Sequence, residues 1–181
     1  MSTQTNTHDA VVQLSRALDQ AGDVIAEVHP DQLDLPTPCR GWDVGRLVSH
    51  LVHDPRHFLE MAAGGSPAWS DEPDRVMYAT ATFRSAGDDL IHHWHQQGDP
   101  DDPAAVDWQT AEFAVHTWDL ATAIGYPTER LDPAVAERGL AFMSQALTTE
   151  NRGSAFAAEQ PAPADASAHE RLAAYAGRPL A

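Results

Sequence analysis

Apolar residues in this chain recur at intervals of three and four, and no stretch alternates convincingly with period two. In the first periodic stretch Val11, Leu14, Leu18, Ala21, Ile25 and Val28 fall on one stripe, the pattern of a helix that buries one face. Without strands there is no sheet, so only helix-on-helix architectures remain. The first helix is expected over about 9–28, after a polar leader (1–7) expected to be disordered. A second is expected over about 44–63, capped by Asp43 and ended by Gly64 and Gly65. Pro55 lies inside it and should kink or split it. A third is expected over about 72–97, and a fourth over about 104–124 with Gly125 closing its C-terminus. Asp132-Pro133 opens a fifth, to about 147, and a short last helix over about 166–176 ends at Gly177. The irregular stretch at about 151–165 contains Phe156 and leads into a helix, so it should pack across the bundle. The expectation is an all-α, four-helix bundle with additional C-terminal helical segments, a single domain over 1–181.

Charge narrows the partners. With 27 acidic and 11 basic residues the net charge is −16, a surface that repels a phosphate backbone or an anionic membrane. No nucleic-acid partner is expected. No apolar stretch approaches the roughly 20 residues of a membrane span, and there is no leader with a basic region and an apolar run. The single cysteine, Cys39, allows no internal disulfide, which fits a reducing cytosol. Localisation is therefore expected to be cytoplasmic.

The chain has ten histidines, and most read as exposed polar positions. The sharper pattern is AEFAVHTWD, in which Glu112 and His116 lie four apart and so share a helix face. Such a pair is half of a metal site or a simple surface pair. At about 100° per residue, Val106, Phe113, Leu120 and Ile124 form the apolar stripe, and Glu112, His116 and Asp119 run along its edge. His50 sits similarly on the second helix, about 120° from the Val44, Val48, Leu51 and Phe58 face. His53 and His57 point further out. If the two rims meet, two imidazoles and one carboxylate hold a cation and leave a coordination position open, as catalytic sites do. The donors suit zinc, and also iron(II), nickel or manganese. Asp119 either orients a ligating histidine or faces solvent. Cys39, in TPCRGW before the second helix, is either a nucleophile of lowered pKa or a small structural residue. No Gly-rich phosphate loop, no H-E-x-x-H and no second Glu-x-x-His is present.

These words carry a resemblance. PTPCRGWDVGRLVSHLV, with His50 near its end, resembles the first signature of the mycothiol-dependent maleylpyruvate isomerase N-terminal domain family, within the DinB-like superfamily. EFAVHTWDLATAIG resembles its second, and the run from GSAF through PADASAHERLAAYAGRPL resembles the ending of a subgroup of small members. The resemblance implies a DinB-like four-helix bundle with one divalent metal, taken as zinc, held by His50, Glu112 and His116. It implies a low-molecular-weight thiol, mycothiol, activated by the metal for attack on a small-molecule electrophile in a transfer or isomerisation. His53 and Asp119 are the nearest candidates for a general acid. The isomerase itself carries an additional C-terminal domain that this length cannot hold, so a substrate other than maleylpyruvate is expected.

Two other readings compete with a metal-dependent thiol transferase or isomerase. One is a non-catalytic bundle that binds a metal or small molecule. The other is a metal-free bundle in which the trio merely lines a polar rim. A homodimer through a helix face is compatible with all three.

Overall fold

The computed structural model describes residues 3–69, 76–97, 103–152 and 156–180, with side chains from Asp9 onward. Among the described residues six α-helices follow one another: α1 (Thr3–Ala26), α2 (Val44–Ala62), α3 (Ala79–Gln97), α4 (Ala104–Ile124), α5 (Pro133–Ala146) and α6 (Ala168–Tyr175). Among the described residues there is no strand, only an isolated bridge between Pro36 and Asp43. None of the described helices is long and apolar enough to cross a membrane. The first four helices close a ring in which α1 packs on α3 and α4, and α2 packs on the same two. Helices α5 and α6 cover the outer side of α4, so the fold is an all-α four-helix bundle with two added C-terminal helices.

Local chemistry explains the boundaries. Asp43 accepts the Arg46 amide at 2.7 Å and starts α2. Asp132 accepts the Ala134 amide at 3.0 Å and, with Pro133 at the first position, starts α5. Ser167 and Glu170 form a reciprocal capping box at α6. Gly125 ends α4 in the left-handed region at φ 74°, where glycine alone is unstrained.

Three expectations are corrected. Helix α1 begins at Thr3, inside the leader expected to be disordered; adding turns to a formed helix needs no apolar stripe. Residues 1–2 lie outside the described residues. Helix α2 is not split: it runs through Pro55. An interior proline costs about 3 kcal/mol, which the burial of Leu51, Val52 and Phe58 around it offsets. Helix α3 begins at Ala79, after a turn in which Tyr78 takes φ 60°; the expected start at 72–75 lies outside the described residues.

Helix α4 is the centre of the molecule. From Gln109 to Ala121 every residue except Glu112 is buried. On the polar edge read from the helical wheel His116 and Asp119 are therefore buried as well, Asp119 against Arg178 of the chain that follows α6. Contact is close enough that a Cβ on Gly139 of α5 would lie 3.2 Å from Cα of Ala111.

The irregular chain after α5 packs as expected, with Phe156 against the core. Arg152 donates to the Tyr175 carbonyl at 2.7 Å, and the Gln160 amide to the Ala174 carbonyl at 2.9 Å. Gly177, at φ 86°, then turns the chain back; a Cβ there would meet the Ala157 carbonyl oxygen at 2.5 Å. The turn delivers Arg178 to a buried position beside α4.

His169 on α6 is 3% exposed and its Nε2 has no hydrogen-bond partner. Burial, opposed by Asp132, pushes its pKa down to about 4. The folded protein thus refuses a proton that the unfolded chain takes up below about pH 6.5. This contribution is intact above pH 6.5 and erodes as the pH falls towards 4. Urea unfolding should show a loss of about 2 kcal/mol between pH 6.5 and 5, and a His169→Gln variant should lose that slope.

Candidate metal centre

Helices α2 and α4 face each other across the bundle, each carrying a histidine and a carboxylate one turn apart. Glu112 Oε1 lies 3.2 Å from His50 Nε2 and 3.0 Å from His116 Nε2. Donor atoms of the three residues all fall within 4.8 Å of one another. The two imidazole rings meet edge to face at 4.8 Å. The structure therefore brings together His50, Glu112 and His116, the trio read from the sequence.

Electrostatics within the trio are strong. Burial works against the charge on Glu112, yet the two imidazoles hold its carboxyl well below the usual carboxylate range. Burial also works against a proton on His116, but Glu112 and Asp119 raise its pKa to about 10. A half-buried carboxylate lying against two imidazoles is a set of donors that a divalent cation could take over from protons.

Behind His116 lies a supporting pair. Its Nδ1 is 3.2 Å from Asp119 Oδ2, which leaves Nε2 to face Glu112. Asp119 is fully buried and is gripped by Arg178, whose Nε lies 3.2 Å from both carboxylate oxygens and whose Nη2 lies 3.0 Å from Oδ2. The Asp119 charge more than offsets the burial of Arg178, so the guanidinium pKa is raised. The carboxylate–imidazole arrangement is the one that fixes the tautomer of a metal-binding histidine. Asp119 orients rather than facing solvent.

Trp42, in the loop before α2, lies parallel to the His116 ring at 5.7 Å and edge-on to His50 at 4.8 Å. Arg46 sits 4.9 Å above the indole. A cavity of about 830 Å³ opens over the trio, walled by Trp42, Trp69 and Trp108. That volume accommodates a small molecule of drug-like size.

The remaining expectations divide. Cys39 lines the cavity, but burial pushes its thiol pKa up against the pull of His116 and Arg178, the opposite of an activated nucleophile. It also groups with His116 and Asp119 as three potential donors. Asp119 is already committed to Arg178 there, so that group is the poorer cation site. His53 donates Nδ1 to its own helix at the Ser49 carbonyl, 2.7 Å away, and is not among the cavity-lining residues described.

Sequence reasoning missed Asp54 and Arg178. Asp54 is fully buried, and its Oδ2 is 3.1 Å from His50 Nε2. Burial raises its pKa more than His50 and His57 lower it. Its spacing of four from His50 was a usable signal, the same one that singled out Glu112 and His116. Arg178 had none, being 59 residues from its partner.

Fold and site together define an all-α bundle with a half-buried His–Glu–His cluster at the foot of a tryptophan-walled cavity. The model of the mycothiol maleylpyruvate isomerase N-terminal domain family matches residues 14–105, and the chain belongs to that family, with its DinB-like bundle. It is similar to the uncharacterized proteins MT0763 and Rv0738 of Mycobacterium tuberculosis, strains CDC 1551 and H37Rv. Each is 30% identical over 179 residues, covering 94% of this chain and 98% of the relative. No solved structure matches.

Proposed function

We propose that His50, Glu112 and His116 hold one divalent metal, and that the chain uses it to activate a low-molecular-weight thiol, mycothiol, against a small electrophile. The observation that carries this reading is the convergence of three donor atoms, each within 4.8 Å of the others, at the foot of a cavity of about 830 Å³. Zinc, iron(II) and nickel all suit two imidazoles and a carboxylate. A bound divalent cation lowers the pKa of a thiol and so supplies a thiolate at neutral pH.

The chain's own residues do the rest. Asp119, held by Arg178, keeps His116 Nε2 turned towards Glu112. The indoles of Trp42, Trp69 and Trp108 exclude water and offer flat apolar surface. The chain is strongly acidic overall, yet among the described residues Arg40, Arg46 and Arg178 line this cavity with Glu112 as the one acidic lining residue. Arg178 is held by Asp119, and the positive charge of Arg40 and Arg46 on the cavity wall favours an electrophile bearing a carboxylate. A cytosolic setting, where such thiols stay reduced, fits the free Cys39.

Cobalt(II) substitution tests the reading. Adding mycothiol to the cobalt protein should produce a sulfur-to-cobalt charge-transfer band, absent in the His116→Ala variant. A cobalt protein whose spectrum ignores the thiol would reduce the reading to metal binding without thiol chemistry.

A further inference from the structure

Metal binding alone does not call for the aromatic surface that walls the cavity. Trp69 and Trp108 meet at 6.2 Å, and the buried Phe58 ring packs against each of them at 5.4 Å. Phe113, also buried, backs Phe58 at 5.8 Å. The indole pair is thus held from behind by the core, yet Trp108 remains 36% exposed. A large indole left open in a cavity wall and fixed from behind is a preformed surface for a flat apolar group.

Position gives this surface a meaning. Trp108, Glu112 and His116 are spaced by four on α4 and share one face, each about 6 Å from the next. Trp42 stacks on His116 at 5.7 Å, at the other end of that row. Arg46 lies 4.9 Å above the Trp42 ring, and Arg40 comes just before Trp42 in the same turn; both arginines line the cavity. Glu112 and His116 therefore stand between an aromatic end, Trp69 and Trp108, and a cationic end, Arg40 and Arg46.

We propose that the electrophile is an aryl-substituted carboxylic acid whose reacting carbon lies between its ring and its carboxylate. The ring rests on Trp69 and Trp108, Arg40 and Arg46 hold the carboxylate, and the carbon between them lies over the trio. This deepens the reading above and rests on it for the metal. An aliphatic acid would leave the indole pair uncovered, and a neutral aromatic would leave the arginine end unused. The cavity of about 830 Å³ has space for such an acid beside a thiol.

Calorimetric titration of zinc-loaded and metal-free protein with trans-cinnamate tests it. Cinnamate should bind at least about 10-fold more tightly than crotonate, which lacks the ring, and than cinnamyl alcohol, which lacks the carboxylate. Trp108→Leu should remove most of the preference over crotonate, with crotonate binding itself unchanged as the check that the variant folds. The double variant Arg40→Gln, Arg46→Gln should remove most of the preference over cinnamyl alcohol. In cobalt(II)-loaded protein the alkenyl protons of bound cinnamate should relax faster than the para proton of its ring. Equal affinity for cinnamate and crotonate, or a preference that survives Trp108→Leu, overturns the aromatic end and leaves the metal untouched. A para proton that relaxes faster than the alkenyl protons overturns the placement of the reacting carbon. A protein that shows both preferences but takes up no cobalt overturns the metal reading and leaves the acid-binding surface standing.

Discussion

Replacing Arg178 by alanine is expected to lower the unfolding free energy by about 3–5 kcal/mol, the cost of stranding one partner of a buried ion pair. Arg178 is 3% exposed and Asp119 is fully buried, so solvent screening does little to soften the loss. The guanidinium makes three close contacts with the carboxylate, at 3.0–3.2 Å, and also donates to the Ala176 carbonyl at 3.0 Å. Without it Asp119 keeps, among the described residues, the contact with His116 Nδ1. Denaturant unfolding of metal-free protein isolates this effect. The double variant Asp119→Asn, Arg178→Met should recover part of the stability, because removing both charges costs less than removing one. A loss below about 1 kcal/mol for Arg178→Ala would place the pair among ordinary surface bridges. In metal-loaded protein the same variant should weaken metal binding by about 10–100-fold, as loss of an orienting group behind a ligand does.

The second large effect concerns Glu112. In metal-free protein it lies against both imidazoles, and with Asp119 it raises the His116 pKa to about 10 against the penalty of burial. Glu112→Gln should therefore drop the His116 pKa by several units, measurable by following ring resonances through a pH titration. In loaded protein Glu112→Gln removes the anionic ligand, and affinity should fall by far more than the 10–100-fold typical of supporting residues, on the order of a thousandfold or more. The direction of the pH dependence follows. A cation takes neutral imidazole, so the proton His116 holds up to about pH 10 must leave on binding. Apparent affinity in the parent should rise by about tenfold per pH unit for that proton, and calorimetry in buffers of different ionisation enthalpy should detect its release. Both signatures should diminish in Glu112→Gln.

Much of the architecture could be read directly. The stripe from Val11 to Ile25, the Asp43 and Asp132 caps and the Gly125 stop are local features, and each stands where the spacing placed it. Pro55 does not split α2, because its cost is local while the compensation, burial of its neighbours against α3 and α4, is tertiary. In the site, Glu112 and His116 were legible from their spacing of four, and His50 from its place on the rim of the α2 stripe. Asp54 shares that spacing but stands beside Pro55, where a kink or a split was expected. Arg178 reaches Asp119 only because the irregular chain packs Ala157 against Gly177 and turns the backbone inward, a path that no local pattern encodes. Trp42 lies in a loop, and its stacking on His116 depends on how α2 meets α4.

The central claim is that His50, Glu112 and His116 hold a metal. The most direct test is the metal content of purified protein carrying no polyhistidine tag, beside the double variant His50→Ala, His116→Ala. Close to one metal ion per chain in the parent and none in a variant that remains helical is the expected result. A parent that holds no metal, even after incubation with zinc, iron(II) or nickel, would contradict the account.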